Sequence, residues 1–266
     1  YELTFRDWSS DVCSSDLMPL VSSAYDVPEV EILLISGGVR TDEDVYHLQN
    51  AVKKAKRVVA VGTCALSGGV ANLGNRDEVR QLFLAEQHRR HVPRLLPKSR
   101  PVDDFVSIDL YLPGCPPTPE LFMGALLDPQ GYQASLTVCQ ECGRKKLKDR
   151  KPDHLLGFQS GEVDPEICLI NQGYLCVGTS TRGGCRAPCT RAGHPCVGCR
   201  GPSNVLIEKG SQAWLDTIQK VFHSMTNVPE KELQEALLSP QLALFLFQFS
   251  DYDGGDRLPR PKEKVL

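Results

Sequence analysis

Short apolar runs, each followed at once by glycine or proline, mark the first half of the chain. The runs are residues 31–36 (EILLIS), 58–61 (VVAV) and 107–112 (SIDLYL). Continuous apolar runs of this length that stop at a tight turn are typical of buried parallel strands. We therefore predict three strands that belong to the interior of one sheet.

A helical pattern lies between the first two runs. Thr41 is suited to cap the helix, and the acidic residues 42–44 lie where the helix dipole favours negative charge. Apolar side chains then recur at helical spacing, at Val45, Leu48, Val52 and Ala55. The order strand, helix, strand predicts an α/β fold with a parallel, doubly wound sheet.

The composition changes at Val138, where Gly, Pro, Arg and Cys replace the periodic apolar pattern. Such a segment buries little apolar surface, so metal centres would have to organise it. A helical pattern resumes after Pro202 at Trp214, Leu215, Ile218, Val221 and Phe222, and a second apolar helix is predicted over residues 233–249. We therefore predict an α/β domain over 18–137, a cysteine-rich domain over 138–202 and a helical tail over 203–266.

The start of the chain follows neither period. Residues 7–17 read DWSSDVCSSDL, which matches the translation of one frame of a common sequencing-library adapter. We interpret residues 1–17 as an artefact and exclude them from fold reasoning, with the native sequence resuming near Met18. Cys13 is then a chance thiol and not a ligand.

Composition and charge exclude some classes of protein. The chain has 266 residues, of which 41% are apolar and 24% charged, as in an ordinary globular protein. Its formal net charge of −3 argues against a dedicated nucleic-acid binder. The longest apolar run, residues 242–247, is far shorter than the roughly 20 residues of a membrane span.

The cysteines are the main chemical signal. Eight of the eleven fall between Cys139 and Cys199, after a long region with few cysteines. Local density of this kind favours metal or redox centres over disulfides, although disulfides remain an alternative. The spacing is Cys139-x2-Cys142, Cys168-x7-Cys176, Cys185-x3-Cys189 and Cys196-x2-Cys199. Eight thiolates would complete two four-ligand centres, and both zinc and 4Fe–4S clusters accept this arrangement.

Two further cysteines, Cys64 and Cys115, each come just after a predicted parallel strand. Ligands of open α/β sheets bind outside the carboxyl ends of the strands, so the two cysteines could meet at one edge. Either cysteine alone is more simply explained as a small buried apolar residue. Together, at matching positions next to glycine and proline, they favour ligation.

The phrase GTCALSGG around Cys64, the phrase PGCPPTPE around Cys115 and the run 138–202 resemble the small subunit of nickel–iron hydrogenases. The resemblance extends from Met18 to about residue 205 and is strongest to cytosolic, multi-cluster types. The first domain is also similar to the 20-kilodalton subunit of respiratory NADH dehydrogenase. The resemblance implies a flavodoxin-like sheet, a cytoplasmic location and a nickel–iron large subunit as partner.

The resemblance also implies three iron–sulfur clusters. Cys64 and Cys115 match two ligands of a proximal cluster, whose other ligands and preceding strand would come before Met18. The distal cluster matches Cys139, Cys142, Cys168 and Cys176, and the medial cluster matches Cys185, Cys189, Cys196 and Cys199. We expect two complete 4Fe–4S sites and one incomplete proximal site. The lost strand would be central in the sheet.

The implied function is electron relay. Dihydrogen would be split on the large subunit, so this chain would carry no catalytic residue and would pass electrons through its clusters to a downstream acceptor subunit or carrier. Arg182, Arg186 and Arg191 lie among the medial ligands and either raise that cluster's potential or are solvated charges. Two alternatives remain, a relay subunit of another redox complex and a zinc-stapled interaction or nucleic-acid protein. The scarcity of aromatic residues, 7%, disfavours the last.

Overall fold

A computed structural model describes residues 27–75, 77–87, 93–127, 137–157, 161–209 and 211–238. The residues interpreted as adapter-derived, Cys13 among them, and the predicted helix beyond Leu238 lie outside this part of the chain. The chain divides after Pro116 into two compact units, called unit 1 and unit 2 in chain order. The domain boundaries at residues 137 and 202 stay predictions.

Unit 1 contains the strands of the described residues. They are β1 (Val30–Ser36), β2 (Val39–Thr41), β3 (Ala55–Val61), β4 (Leu95–Arg100) and β5 (Leu110–Leu112). The order β1-β3-β5 forms a parallel sheet, and β2 pairs with β4 in an antiparallel ribbon. The second half of the central strand β3 is fully buried, since Val59 and Ala60 have no exposed surface. The predicted α/β fold with a parallel sheet is confirmed.

The helices of unit 1 are α1 (Asp42–Val52), α2 (Gly62–Ser67) and α3 (Asp77–Gln87). Thr41 caps α1 as predicted, because its hydroxyl accepts the N–H of Asp44 at 3.1 Å and the Asp44 carboxylate accepts the N–H of Thr41 at 2.8 Å. The prediction that Ala55 continues the helix is wrong. The helix ends at Val52, and Ala55 is the first residue of β3.

Unit 2 has little regular structure outside its helices. These are α4 (Pro119–Leu127), α5 (Val138–Cys142), α6 (Pro188–Arg191), α7 (Asn204–Lys209), α8 (Ser211–Met225) and α9 (Glu230–Leu238). Between α5 and α7 the strand pairing of the described backbone is limited to isolated bridges, for example Lys145 with Ile167 and Thr181 with Pro202. This region is the irregular cysteine-rich segment that the composition predicts.

Buried polar side chains hold this irregular segment together. The amide of Asn171, 1% exposed, donates to the carbonyls of Leu147 and Arg150 at 2.9 and 2.7 Å and accepts the N–H of Leu147 at 2.9 Å. The Arg144 guanidinium donates to the carbonyls of Thr190 and Ile167 at 2.7 and 2.9 Å. Side chains thus satisfy backbone groups that a sheet would otherwise pair.

Helix α8 buries residues of the apolar face that the sequence predicts. Ile218 and Phe222 of α8 have no exposed surface, as their helical spacing predicts, whereas Val221 is only partly buried. Helix α9 covers the beginning of the second predicted apolar helix and starts at Glu230. No helix within the described ranges has the length and apolarity needed to cross a membrane.

Candidate metal centres

Cys64 and Cys115 lie at the same edge of the sheet. Cys64 is in α2, just after β3, and Cys115 follows β5, and these two strands are parallel neighbours. The turns are joined directly, because the N–H of Thr63 donates to the carbonyl of Gly114 at 2.7 Å. Burial and the nearby charge of Cys64 raise the pKa of the Cys115 thiol. The structure therefore brings these two thiols together.

Steric constraints explain why two glycines, Gly68 and Gly69, follow the helix that contains Cys64. Gly68 ends α2 with φ of +82°, and its N–H donates to the carbonyl of Cys64 at 2.8 Å. A Cβ on Gly69 would lie 2.6 Å from the Cys64 sulfur. Residues without side chains at these positions leave space beside the Cys64 thiol, which explains the phrase GTCALSGG.

The predicted distal quartet, Cys139, Cys142, Cys168 and Cys176, lines a single cavity. Cys139 and Cys142 are three residues apart on α5 and therefore share one face of the helix. Cys168 directly precedes a 3-10 turn at Leu169–Gln172. One short helix and one turn thus bring thiols that are distant in the sequence to a common space.

Backbone N–H groups point at the sulfurs of this quartet. The sulfur of Cys168 accepts from Ile170 and Asn171, and that of Cys176 accepts from Gly178 and from Cys196, the last at 3.3 Å. Burial nevertheless raises the pKa of the Cys176 thiol to about 12. A buried thiol of this kind becomes a thiolate when a cation replaces its proton, so the donor set fits a metal or iron–sulfur centre.

The predicted medial quartet forms two interacting pairs, Cys185 with Cys189 and Cys196 with Cys199. Cys185 packs with the buried Cys196 in an apolar cluster around Val138 and Ala187. The backbone at Arg186 and Ala187 is left-handed, with φ of 58° and 52°, which turns the chain sharply between Cys185 and α6. The structure thus links the two pairs through one cluster, while it gives the distal quartet a cavity common to all four thiols.

Sulfur atoms of this second quartet also receive hydrogen bonds. The N–H of Ala187 donates to Cys185, and the N–H of Gly198 donates to Cys196. Burial, the largest effect, raises the pKa of both Cys185 and Cys196. These thiols resemble those of the distal quartet in both respects.

The arginines near the predicted medial cysteines differ in burial, which the sequence does not indicate. Arg182 is 9% exposed and Arg200 is 2% exposed, whereas Arg186 and Arg191 are exposed. Arg200 donates from Nε to the carbonyl of Gly183 at 3.0 Å, and its charge acts to lower the pKa of Cys185. Burial and the charge of Arg200 lower the pKa of Arg182 to about 9. Sequence reasoning missed Arg200, whose one signal is its place beside Cys199.

Glu141 connects the two quartets. It lies on α5 between Cys139 and Cys142, and its carboxylate accepts the N–H groups of Gly184 and Arg186, which flank Cys185. The distance from the carboxylate to the N–H nitrogen of Arg186 is 2.7 Å. One side chain therefore ties the helix of two distal cysteines to the loop of a medial one.

Lys146 was also missed. It lines the same cavity as the distal quartet and carries a hydrogen bond to Cys139. Burial alone would lower the pKa of Lys146. The negative charge on the sulfurs of Cys139, Cys168 and Cys142 raises the pKa by more, so the net shift is upward. A cation thus stands beside the four thiols.

Thiols grouped in this way, most of them at least half-buried and several with N–H groups aimed at sulfur, define a protein with thiolate-bound metal centres, either zinc sites or iron–sulfur clusters. Within the described ranges, no three His, Cys, Asp or Glu side chains converge closely enough for a single metal ion. The sequence family described as NADH ubiquinone oxidoreductase, 20 Kd subunit, matches residues 4–128. This match includes most of the stretch interpreted as adapter-derived, and that interpretation stays a prediction.

The relatives give the family more closely. The chain is similar to a subunit of the F420-non-reducing hydrogenase vhu of Methanocaldococcus jannaschii, with 33% identity over 229 residues that cover 80% of this chain and 79% of the relative. The corresponding polypeptide of Methanococcus voltae is 36% identical over 217 residues, 73% of this chain and 72% of the relative. The chain belongs to this family of hydrogenase small, iron–sulfur subunits, and the predicted resemblance is confirmed.

A third relative points the same way. The delta polypeptide of sulfhydrogenase 2 from Pyrococcus furiosus is 30% identical over 179 residues, which cover 66% of this chain and 67% of the relative. Among solved structures, the actinobacterial-type NiFe-hydrogenase from Ralstonia eutropha H16 matches 81% of this chain and 67% of that chain, with 17% identity and a TM-score of 0.41. A structural likeness of that size carries no argument by itself.

Proposed function

We propose that this chain is the electron-transferring small subunit of a nickel–iron hydrogenase. It would hold one 4Fe–4S cluster on Cys139, Cys142, Cys168 and Cys176, and a second on Cys185, Cys189, Cys196 and Cys199. Cys64 and Cys115 would supply two thiolates to a third centre. Iron–sulfur clusters bound to thiolates take up and release one electron at a time.

The proposal that electrons pass from one centre to the other rests on one contact. The N–H of Cys196, a medial ligand, donates to the sulfur of Cys176, a distal ligand, at 3.3 Å. Both residues also belong to the apolar cluster around Val138 and Ala187. A single hydrogen bond in apolar surroundings would therefore connect the ligand shells of the two centres.

The chain's own residues would tune the two centres differently. Backbone N–H groups directed at sulfur stabilise the more negative, reduced state of a cluster. Arg200 adds a buried positive charge beside Cys185, and Lys146 adds a more exposed one beside Cys139. The large subunit would carry out the chemistry of dihydrogen, and a cytoplasmic location stays a prediction.

The test is the metal content of anaerobically purified protein. We expect a brown protein that dithionite bleaches, and substitution Cys176→Ala, which leaves no ligand atom, should remove about four iron atoms per chain, the content of one cluster. Cys13→Ala is the matched control, because we interpret Cys13 as a chance thiol, and it should leave iron and sulfide unchanged. In the reduced protein the two paramagnetic centres should broaden each other's electron paramagnetic resonance signals.

Two results would contradict the proposal. A colourless product that contains zinc would assign the thiols to structural metal sites. Full iron content in the Cys176→Ala variant would exclude Cys176 as a ligand. Copurification with a large subunit that has two Cys-x2-Cys pairs would separate a hydrogenase from another redox complex.

A further inference from the structure

A strongly basic loop follows the first two distal cysteines. Between residues 144 and 151 the sequence reads RKKLKDRK, and we call this segment the basic loop. Its exposed cationic side chains are Lys145, Lys146, Lys148, Arg150 and Lys151, against the single acidic residue Asp149. Lys145 is paired with Glu166 at 2.8 Å. The excess of positive charge is local, since the whole chain has a formal net charge of −3.

The basic loop lies over the distal quartet. Lys146 lines the cavity formed by the four cysteines, so the loop forms part of its wall. The backbone N–H of Cys168 donates to the carbonyl of Lys145 at 2.8 Å, which attaches the loop to a third member of the quartet. Any protein that contacts the exposed side of this loop comes close to the distal thiols.

The loop is held in one position by one buried and one half-buried side chain. Asn171 bonds to the backbone of Leu147 and Arg150, and the guanidinium of Arg144 bonds to the carbonyls of Thr190 and Ile167. These contacts fix the backbone while the lysine side chains stay exposed. A preorganised set of like charges next to a redox centre is suited to steering a partner of opposite charge.

We propose that the basic loop is the docking surface for an acidic electron-acceptor protein. The inference rests on the proposed function and adds to it the place and the chemistry of the acceptor. In the electron-transfer step, one electron leaves the reduced distal centre and is taken up by an oxidised iron–sulfur cluster of the acceptor protein. No bond is formed or broken and no proton is transferred. Long-range attraction would raise the rate of encounter, and contact would place the carrier beside the centre.

A protein partner fits the loop better than a single-stranded nucleic acid does. Surfaces that bind single-stranded nucleic acid combine basic side chains with aromatic ones on which bases stack. Residues 144–151 contain no aromatic side chain. The basic residues thus offer charge without a stacking platform.

The experiment measures electron transfer to an acidic 2[4Fe–4S] ferredoxin from the full chain reduced with a stoichiometric amount of dithionite, which does not require the proximal cluster. For the charge-reversed pair Lys148→Glu and Lys151→Glu, the second-order rate constant at low salt should fall about 10-fold and its salt dependence should flatten. Reduction of methyl viologen, a small cation, should not be slowed. The resonance spectra of the clusters should be unchanged.

Lys53→Glu together with Lys209→Glu is the matched control, because it makes the same charge change at exposed lysines outside the loop. Its ferredoxin rate should stay within about twofold of the original. If charge reversal in the loop disturbs the cluster spectra, the neutral pair Lys148→Gln and Lys151→Gln decides by the same measurement.

Distinct results would overturn the docking surface and the proposed function. A ferredoxin rate unchanged in the loop variant, with viologen reduction intact, overturns the docking surface alone. Binding of a short DNA duplex that the loop variant loses, with no change in ferredoxin rate, assigns the loop to nucleic acid instead. Absence of any iron–sulfur signal in the unmodified chain overturns the proposed function itself.

Discussion

Unit 1 and unit 2 place their cysteines by different physical means. In unit 1, Cys64 and Cys115 follow neighbouring parallel strands whose interior residues, such as Val59 and Leu112, have no exposed surface. In unit 2, the two quartets lie on the short helices α5 and α6 and in loops joined by isolated bridges. The positions of those loops depend on single buried polar groups, of which Asn171 is the clearest example.

The two units differ in what stabilises their folds when no metal is bound. Burial of apolar surface stabilises a fold by about 25 cal/mol per Å², and a sheet with a continuous apolar interior obtains this from its own residues. A hydrogen bond contributes a net stabilisation of only about 1 kcal/mol. The buried guanidiniums Arg182 and Arg200 also cost free energy unless negative charge lies near them. Thiolates bound to metal would supply that charge, so unit 2 should depend on its centres.

Removal of iron should therefore produce the largest contrast between the units. After anaerobic chelation, amide hydrogens of residues 161–203 in unit 2 should exchange at least about 100-fold faster, because binding of the centres is coupled to folding. Amides of β3 in unit 1 should keep their protection. Hydrogen exchange followed by mass spectrometry measures both in one sample. Equal loss of protection in the two units would remove the distinction between them.

Local sequence patterns account for much of unit 1. The apolar runs that end in glycine locate β1 and β3, and Thr41 caps α1 as its sequence context predicts. The errors are at boundaries. Strand β3 begins at Ala55, three residues before the predicted run, because Lys56 and Arg57 at the beginning of the strand are exposed and need not be apolar.

In unit 2 the spacing of cysteines predicts which thiols lie close together, but not what surrounds them. Glu141 bonds to the backbone at residues 184 and 186, and Asn171 bonds to the backbone at residues 147 and 150. Such partners are distant in the sequence and follow no period, so no local pattern indicates them. Arg200 was missed for the same reason, since its burial depends on how the loop around Gly183 folds back.

A cavity in the sheet should destabilise unit 1 alone. Leu112→Ala removes a side chain with no exposed surface, and we expect a loss of about 3 kcal/mol in the free energy of unfolding of unit 1. Exchange of the β3 amides measures this loss. Leu82→Ala, at a side chain 72% exposed, is the control and should change the free energy by less than about 0.5 kcal/mol. Iron bound by the two quartets of unit 2 should remain, and loss of that iron would mean that the units are not independent.

Loss of one buried amide should have a smaller but comparable effect in unit 2. Asn171→Ala leaves the carbonyls of Leu147 and Arg150 without their donor, which should cost about 2 kcal/mol in the iron-loaded protein. Exchange of the amides in the basic loop measures this cost. Asn227→Ala, which removes an exposed hydrogen bond to Asp153 of 3.0 Å, is the control and should cost less than about 0.5 kcal/mol. Equal effects of the two substitutions would show that burial of the Asn171 amide does not matter.

The smallest effect should come from the cap of α1, which shows how local interactions contribute in the regular unit. Thr41→Ala removes the hydroxyl that accepts the N–H of Asp44 at 3.1 Å, and we expect unit 1 to lose about 1 kcal/mol. Thr41→Ser keeps the oxygen and should restore most of that stability. Because the cap belongs to a helix of unit 1 and touches no cysteine, neither variant should alter the iron content or the cluster spectra. A change in either would show that the fold of unit 1 and the centres of unit 2 are coupled, and the contrast between a self-sufficient sheet and a metal-dependent loop region would then be wrong.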